Sequence, residues 1–145
     1  MNTLTFLPAK AEDADIIFAQ CRELVERYED STQVDIARVL SWLDKKIRTN
    51  ISQYTCVLRG NEKVAFFCLS EEENGFELDD LYVLKPYRNQ GVGSEILKHC
   101  IALASKPIFL YVFTANKDAV RLYRRFGFCA DKQVSDTRII MTRYP

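Results

Sequence analysis

The chain has 145 residues, of which 48% are hydrophobic and 28% are charged, a composition typical of a globular protein. Its 20 basic residues balance its 20 acidic residues, whereas a nucleic-acid-binding domain usually carries a basic excess. The amino terminus lacks the pattern of a signal peptide, and no apolar run approaches the roughly 18 residues of a membrane span. We therefore expect a single domain over residues 1–145 in the cytoplasm, with no nucleic-acid or membrane partner.

The cysteine and histidine content predicts no metal site. The five cysteines are scattered, without a Cys-x-x-Cys pair, and His99 is the only histidine. This pattern excludes the usual zinc spacings. Buried reduced thiols that pack as small hydrophobes are the expected alternative, in agreement with a reducing compartment.

The first third of the chain predicts one strand and two helices. Weak alternation indicates a strand over Thr3–Leu7, which Pro8 ends, and helical spacing follows over Ala11–Tyr28. A second helix is predicted from about Asp35. Its apolar residues recur at intervals of three and four, which defines one stripe: Ile36, Val39, Leu40, Leu43 and Ile47.

Three strands are predicted next, over Gln53–Leu58, Val64–Leu69 and Phe76–Val83, with a hairpin turn at Gly60 between the first two. The second strand is apolar throughout, which is typical of a strand with both faces covered.

The third of these strands changes its apolar face partway along. Phe76 and Leu78 share one parity, whereas Leu81 and Val83 share the other. One extra residue near Asp79 or Asp80 would restore the register, so we predict a β-bulge there.

The stretch from Leu81 to Ser94 combines a strand end, a turn at Pro86 and two glycines that open a helix. The residues Gln90, Gly91, Val92, Gly93 and Ser94 place free N–H groups at the helix start. Those groups and the positive end of the helix dipole predict an anion site. Arg88 adds a permanent positive charge beside it.

Two other types of phosphate-binding loop each require a residue that this sequence lacks. A dinucleotide fingerprint needs a third glycine where Ile96 stands, and an ATP-type phosphate loop needs a lysine that does not follow Gly93. An ordinary strand–turn–helix connection without a ligand remains an alternative.

The carboxyl-terminal part predicts an apolar strand over Pro107–Phe113 and a helix that Asn116 caps and Gly127 ends. In that helix, Ala119, Leu122, Tyr123 and Phe126 share the inner face. Two final strands are predicted over Phe128–Lys132 and Thr137–Thr142.

Two patterns in this order resemble the GNAT superfamily of N-acetyltransferases. The first is Arg88-Asn89-Gln90-Gly91-Val92-Gly93, and the second joins Asn116, Ala119, Leu122-Tyr123 and Gly127-Phe128. The resemblance is strong from Glu77 to Phe128 and rests on element order before that. Asn89 departs from the glycine that is common in the family.

The resemblance implies an α/β fold, with a mixed and mostly antiparallel sheet of about six or seven strands and about four helices on both faces. It also implies that acetyl-CoA is the acyl donor and that no metal takes part. The pyrophosphate would bind the helix-start amides, and the pantetheine arm would lie beside the bulged strand. The implied cofactor-binding residues are Leu81, Tyr82, Val83, Arg88, Asn89, Gln90, Gly91, Val92, Gly93, Ser94 and Asn116.

Acetyl transfer needs a neutral amine and a proton for the departing thiolate. Glu77, Asp79 and Asp80 precede the loop, and the resemblance favours Glu77 as the base. Solvated hairpin acids remain the alternative for all three, because transfer by position is unsafe across a bulge. Tyr123 resembles the general acid of the family, and a purely structural core tyrosine is its alternative.

The expected activity is transfer of an acetyl group to a primary amine of a small molecule, by direct attack in a ternary complex. A peptide or protein amino group is the alternative acceptor, and a noncatalytic acyl-CoA-binding module is the alternative of another class. The acidic run over residues 71–80 and the basic segment over residues 117–125 predict two oppositely charged ends. A monomer or a homodimer is expected.

Overall fold

A seven-stranded sheet organises the protein, whose computed structural model describes residues 3–145. Its spatial order is β1-β2-β3-β4-β5-β7-β6, and only β4 and β5 are parallel neighbours within the described chain. The strands are β1 (Leu4–Pro8), β2 (Tyr54–Arg59), β3 (Glu62–Glu72), β4 (Gly75–Val83), β5 (Ile108–Phe113), β6 (Cys129–Gln133) and β7 (Arg138–Arg143).

Within the described part of the chain, four α-helices cover the two faces of this sheet. They are α1 (Ala14–Tyr28), α2 (Ile36–Thr49), α3 (Val92–Leu103) and α4 (Lys117–Arg125). The expected α/β fold is therefore confirmed, with strand and helix ends within three residues of their predicted places. The helix predicted from Ala11 begins instead with a short 3-10 turn over Ala11–Asp13. None of the described helices has the length and apolar character needed to span a bilayer.

The two faces have separate cores. Helices α1 and α2 pack over β2 and β3 on what we call the α1/α2 face, where Ile17, Ile47, Tyr54 and Phe66 are almost fully buried. Helices α3 and α4 pack on the opposite α3/α4 face, whose core includes Ile96. Residues from Val64 to Cys68 are all buried, so the prediction that β3 is covered on both faces is confirmed.

The predicted bulge is present in β4. Tyr82 pairs with Phe66 of β3, whereas Asp79 pairs with Cys68, so three steps along β4 oppose two along β3. Asp80 takes a φ of +50°, a left-handed conformation that is uncommon for a residue other than glycine. The bulge places Leu81 on the α3/α4 face and leaves Asp79 and Asp80 on the α1/α2 face.

Strands β4 and β5 meet at only two residue pairs and then separate. Phe76 faces Ile108 and Glu77 faces Phe109, and no further pair joins these strands. We call the space beyond Glu77 the β4–β5 gap. Its closed end is tight, because a Cβ at Gly75 would lie 2.7 Å from the carbonyl oxygen of Pro107.

Strand β5 is apolar on both faces although only one face is covered along its whole length. Ile108, Leu110 and Val112 are buried against α3 and α4. Tyr111 points to the other face and remains 47% exposed. Beside the gap, the α1/α2 face therefore presents an open aromatic surface.

Candidate active site

The loop between β4 and α3 has the backbone shape of an anion site. Asn89 and Gly91 take φ values of +61° and +82°, and α3 begins at Val92 with Gly91 as its N-cap. The first amides of a helix have no acceptor within the helix. An added Cβ at Gly91 would meet no atom within 4 Å, so a ligand can approach this backbone freely. The loop therefore fits a phosphate group in both shape and polarity.

Two side chains of the loop hold its shape. Arg88 donates from Nε to the carbonyl of Val83 at 2.9 Å and from Nη2 to Gln20 at 3.1 Å. Gln90 donates to the carbonyl of Pro86 at 3.0 Å and accepts from Arg59. These contacts anchor the loop to β4 and to its neighbours. Anchoring Arg88 in this way leaves the backbone amides as the principal groups that face a ligand.

The other loop residues support the helix start. Val92 is buried in the core of the α3/α4 face, and Ser94 is only partly exposed. An added Cβ at Gly93 would lie 3.1 Å from the side chain of Leu122, so the glycine allows α4 to pack against the first turn of α3.

The last residues of β4 present backbone polar groups to the gap. Leu84 donates its N–H to the carbonyl of Val64 in β3. Because antiparallel pairing alternates along a strand, the N–H of Val83 points the other way, toward the gap. Leu81 and Val83 pack on the α3/α4 face, whereas Tyr82 packs on the α1/α2 face. Of the three predicted cofactor-binding residues at the end of β4, Leu81 and Val83 therefore point to one face of the sheet and Tyr82 points to the other.

Asn116 lies at the start of α4, and its side chain accepts from the N–H of Ala119 at 3.4 Å. The predicted capping is confirmed, and its contact with a cofactor stays a prediction. At the other end of α4, Gly127 takes a φ of +89°, and the N–H of Phe128 donates to the carbonyl of Tyr123. This is a Schellman arrangement, and it agrees with the prediction that Gly127 ends the helix.

Glu77 stands at the last β4–β5 pair, where the gap begins. Burial and the nearby carboxylate of Asp79 raise its pKa to about 6. A carboxylate with this pKa is ionised at neutral pH and accepts a proton more readily than an ordinary glutamate. Its position and its pKa both suit a general base.

Asp80 is the centre of a buried hydrogen-bond cluster on the α1/α2 face. The hydroxyl of Tyr54 donates to its Oδ2 at 2.5 Å, and that of Tyr82 donates to its Oδ1 at 3.2 Å. The thiol of Cys21 lies 3.6 Å from Oδ1. The ammonium group of Lys46 lies 3.2 Å from Oδ2. These contacts stabilise the left-handed backbone of the bulge, which is strained for an aspartate.

Lys46 of α2 also binds Asp79, with a distance of 2.5 Å from Nζ to Oδ2. Burial alone would lower the pKa of Lys46, but Asp80 and Asp79 raise it well above its usual value. The pKa of Asp79 is raised by burial and by Asp80, against the opposing effect of Lys46. Asp79 and Asp80 are therefore committed to an internal ion pair, which leaves Glu77 as the better placed base.

The sequence reasoning did not identify Lys46, Tyr54 or Cys21 as members of this cluster. Lys46 precedes the fully buried Ile47 in the amphipathic helix, and this was the only available signal that it turns inward. Tyr54 and Cys21 looked like ordinary core positions. Their partner lies 26 and 59 residues away, so only the fold brings the cluster together.

Tyr123 lies on the face of α4 that packs against the core, as predicted, with its ring 5.7 Å from that of Phe128. Burial raises the pKa of its hydroxyl above the usual value, with smaller contributions from Cys100 and Asp79. The hydroxyl therefore keeps its proton at neutral pH. The most buried residue of this helix is Val120, which the sequence interpretation did not include in the packed stripe.

The predicted acidic end is only partly present. Glu71, Glu72 and Glu73 are exposed on the β3–β4 hairpin, and Glu71 pairs with Lys106. Only Glu77, Asp79 and Asp80 extend along the α1/α2 face toward the gap. Among residues 3–145, no three histidine, cysteine, aspartate or glutamate side chains are grouped so that they could hold a metal ion.

The order of elements, the bulge, the gap and the helix-start loop define an acetyltransferase of the GNAT type. The acetyltransferase (GNAT) family model matches residues 16–128. The chain therefore belongs to this family, and the resemblance predicted from Arg88–Gly93 and Asn116–Phe128 is confirmed.

Individual relatives differ in the acceptor that their names state. N-alpha-acetyltransferase 50 of Danio rerio is 31% identical over 64 residues, which are 41% of this chain and 38% of that protein. The probable spermine N(1)-acetyltransferase of Bacillus subtilis subsp. natto is 43% identical over 56 residues, or 35% of this chain and 37% of that protein. The matched segments thus span less than two fifths of these curated relatives.

Solved structures show the same fold over the whole chain. The PaiA N-acetyltransferase of Thermoplasma acidophilum, crystallised in complex with coenzyme A, superposes with a TM-score of 0.75. It is 18% identical in sequence, and the alignment covers 99% of each chain. At this identity the comparison establishes the architecture alone.

Proposed function

We propose that this protein is an acetyl-CoA-dependent N-acetyltransferase that acetylates a primary amine of a small molecule by direct attack in a ternary complex. One observation carries the proposal. The gap between β4 and β5 has the half-buried carboxylate of Glu77 at its closed end and the glycine-opened start of α3 beyond the end of β4. Strand β4 thus connects Glu77, a carboxylate that could accept a proton, to the loop that could bind an anion.

The residues of the loop suit coenzyme A on physical grounds. The helix-start amides of Val92, Gly93 and Ser94 would hold the pyrophosphate, because the backbone above Gly91 is unobstructed. The inward-facing N–H of Val83 would bind the pantetheine arm. Acetyl-CoA supplies an acetyl thioester, whose C–S bond breaks as the N–C bond to the amine forms.

Glu77 would take the proton that the acceptor must lose. A primary ammonium group with a pKa near 10 is mostly charged at neutral pH and cannot attack. With its own pKa near 6, Glu77 is available as a carboxylate at that pH. It would receive the proton directly or through one water molecule.

Tyr123 would supply the proton to the departing thiolate. Its hydroxyl is held protonated by burial, and its helix packs on the side of the sheet opposite Glu77. The base and the acid would thus act from opposite faces of the sheet.

A peptide or protein amino group is the second candidate acceptor. The similarity to N-alpha-acetyltransferase 50 favours it, as does the open surface around Tyr111, which is 47% exposed. The similarity to a probable spermine N(1)-acetyltransferase favours a small amine. A noncatalytic acyl-CoA-binding module on the same fold is the candidate of a different class.

A turnover screen tests the proposal. Purified protein and acetyl-CoA are incubated with alkylamines, polyamines, amino acids and short peptides, and the release of free coenzyme A thiol is measured. Turnover of small amines above peptides supports the proposal. Turnover of peptides alone favours the second candidate. Binding of acetyl-CoA without thiol release from any acceptor would show a noncatalytic module.

A further inference from the structure

Strands β5 and β7 share an open surface beside the gap, which we call the outer strip. It is formed on the α1/α2 face by Phe109, Tyr111 and Phe113 of β5 and by Arg138, Ile140 and Thr142 of β7. Tyr28 of α1 covers one end, with its ring 5.7 Å from that of Phe113. Glu77 lies at the other end, directly opposite Phe109.

Arg138 is the member of the outer strip whose hydrogen bonding is incomplete. Among the described residues, its Nε is the one fully buried side-chain nitrogen or oxygen atom that lacks a hydrogen-bond partner. Its guanidinium carbon lies 6.0 Å from the ring centre of Tyr111. A buried donor without an acceptor costs free energy, so it requires an explanation.

The nearby acid of α1 does not provide that acceptor. Glu29 accepts from the hydroxyl of Thr137 at 2.7 Å and from the N–H of Asp30 at 3.2 Å. Asp136 lies on the exposed β6–β7 turn. A guanidinium group binds planar anions such as carboxylates best, through paired N–H groups. The Nε of Arg138 is closed off from solvent, but the side chain as a whole is only partly buried. An external carboxylate would therefore bind the terminal N–H groups at the open side of this guanidinium.

The distance between Arg138 and Glu77 limits the molecule that could bind both. Arg138 pairs with Phe113, and Glu77 pairs with Phe109 four residues earlier. Four residues of a strand extend about 13 Å, and the two strand spacings from β4 across β5 to β7 add about 10 Å sideways. The Arg138 side chain leans back over Tyr111 and shortens this span. A flexible chain of several methylenes, lying on Phe109 and Tyr111, would reach from one group to the other.

We infer that Arg138 binds a carboxylate of the acetyl acceptor, and that the favoured acceptors are ω-amino carboxylic acids whose amine reaches Glu77. This inference rests on the proposed N-acetyltransferase activity. Arg138 is then a residue that determines specificity without taking part in the chemistry of transfer.

Matched acceptors test the inference by kinetics. The compounds 6-aminohexanoate and hexylamine have the same chain length and similar amines but differ in the carboxylate. We expect the wild-type protein to prefer 6-aminohexanoate by roughly 10- to 100-fold in kcat/KM, the effect of a charge-assisted hydrogen bond. Arg138→Met should abolish this preference by raising KM for 6-aminohexanoate, with hexylamine turnover retained.

Arg27→Met is the matched control, because Arg27 also stacks on a tyrosine, 5.5 Å from the Tyr28 ring, but is exposed. It should leave the preference unchanged. Equal use of both compounds by the wild type, or a preference that survives in Arg138→Met, would overturn the inference while the proposed activity stands.

A binding measurement separates this inference from the activity itself. The Nε–H resonance of Arg138 can be assigned by its loss in the Arg138→Lys variant. We expect 6-aminohexanoate to shift this resonance and hexylamine to leave it in place. If no amine is turned over, the proposed function fails, and this resonance still decides whether Arg138 is a carboxylate site. An unmoved resonance at tens of millimolar 6-aminohexanoate would refute it.

Discussion

Glu77 and Phe109 face each other across β4 and β5, and they form the last pair before the two strands separate. This position gives Glu77 two properties at once. The pairing fixes its backbone, while the start of the gap leaves its carboxylate beside open space. Burial on the α1/α2 face then raises its pKa to about 6. Its proposed role as a base follows from this one relationship.

Replacing Glu77 by glutamine should lower turnover roughly 10²–10⁴-fold, because the amide cannot accept a proton. Acetyl-CoA binding should be unchanged, since the anion loop lies at the other end of β4. Steady-state kinetics with any accepted amine measures the first effect, and a thermal shift with acetyl-CoA measures the second. Glu73→Gln, on the exposed hairpin, is the matched control and should have wild-type turnover.

The choice among the three acids of β4 can be tested in the same assay. Asp79→Asn and Asp80→Asn should affect stability more than the rate constant, because Lys46 already binds both carboxylates. A larger loss of turnover in either of these variants than in Glu77→Gln would transfer the role of base to that aspartate.

The pKa of Glu77 predicts a pH dependence for both rate and stability. Turnover should fall as the pH drops below about 6, where the base becomes protonated. Stability changes in the opposite direction, because a carboxyl group with a raised folded-state pKa favours the folded state when it is neutral. Its contribution is present below the unfolded value of 4.5 and is lost as the pH rises through about 6.

Glu77→Gln should accordingly melt at a higher temperature than the wild type at pH 8 and at a similar temperature at pH 4. Thermal melting across this range provides the measurement. A wild-type melting temperature that rises relative to the variant between pH 4 and pH 8 would contradict the raised pKa.

Tyr123→Phe should reduce the rate constant while the KM for acetyl-CoA remains near its original value, since the ring is kept and only the proton is lost. A tyrosine with a purely structural role predicts unchanged turnover in the same variant. A melting curve is the control, because the phenylalanine ring should preserve the contact with Phe128.

Acetyl-CoA should stabilise the fold by about 2.7 kcal/mol at 100 times its dissociation constant. Gly91→Glu should abolish this gain by placing a side chain and a negative charge above the loop. Gly127→Glu is the matched control, because its φ of +89° is close to the +82° of Gly91 while it lies beyond the far end of α4. Loss of the thermal shift in both variants would assign the effect to backbone strain instead.

Lys46→Met should destabilise the protein by roughly 1–3 kcal/mol, because Asp79 and Asp80 would lose their shared cation. The loss should shrink at acidic pH, because the raised pKa of Asp79 makes its carboxyl group neutral more readily than an ordinary aspartate. Chemical denaturation at pH 7.5 and pH 5 measures both effects. Lys45→Met changes the exposed neighbour on α2 and should have little effect at either pH.

Local features of the chain were predictable from the sequence because their causes are local. Gly91 at a helix start and the parity change between Leu78 and Leu81 can be recognised over a few residues, and the structure confirms the loop and the bulge. The family patterns extended this information to the type of fold and the approximate number of strands.

The Asp80 cluster and the outer strip around Arg138 could not be predicted in this way. Lys46, Tyr54 and Asp80 come from a helix and two strands, and their contact depends on the packing of α2 against the sheet. Arg138 looks like an ordinary strand residue until its pairing with Phe113 places it beside the aromatic side chains of β5.

Gly75 sets how closely β4 and the start of β5 approach each other at the closed end of the gap. Its backbone lies so near Pro107 that a single methyl group would have to displace the carbonyl, while the neighbouring N–H of Phe76 donates to that same oxygen at 2.8 Å. A larger residue at position 75 should therefore push β4 and β5 apart at this end. It would change the width of the gap next to Glu77 without replacing any group proposed to take part in the reaction.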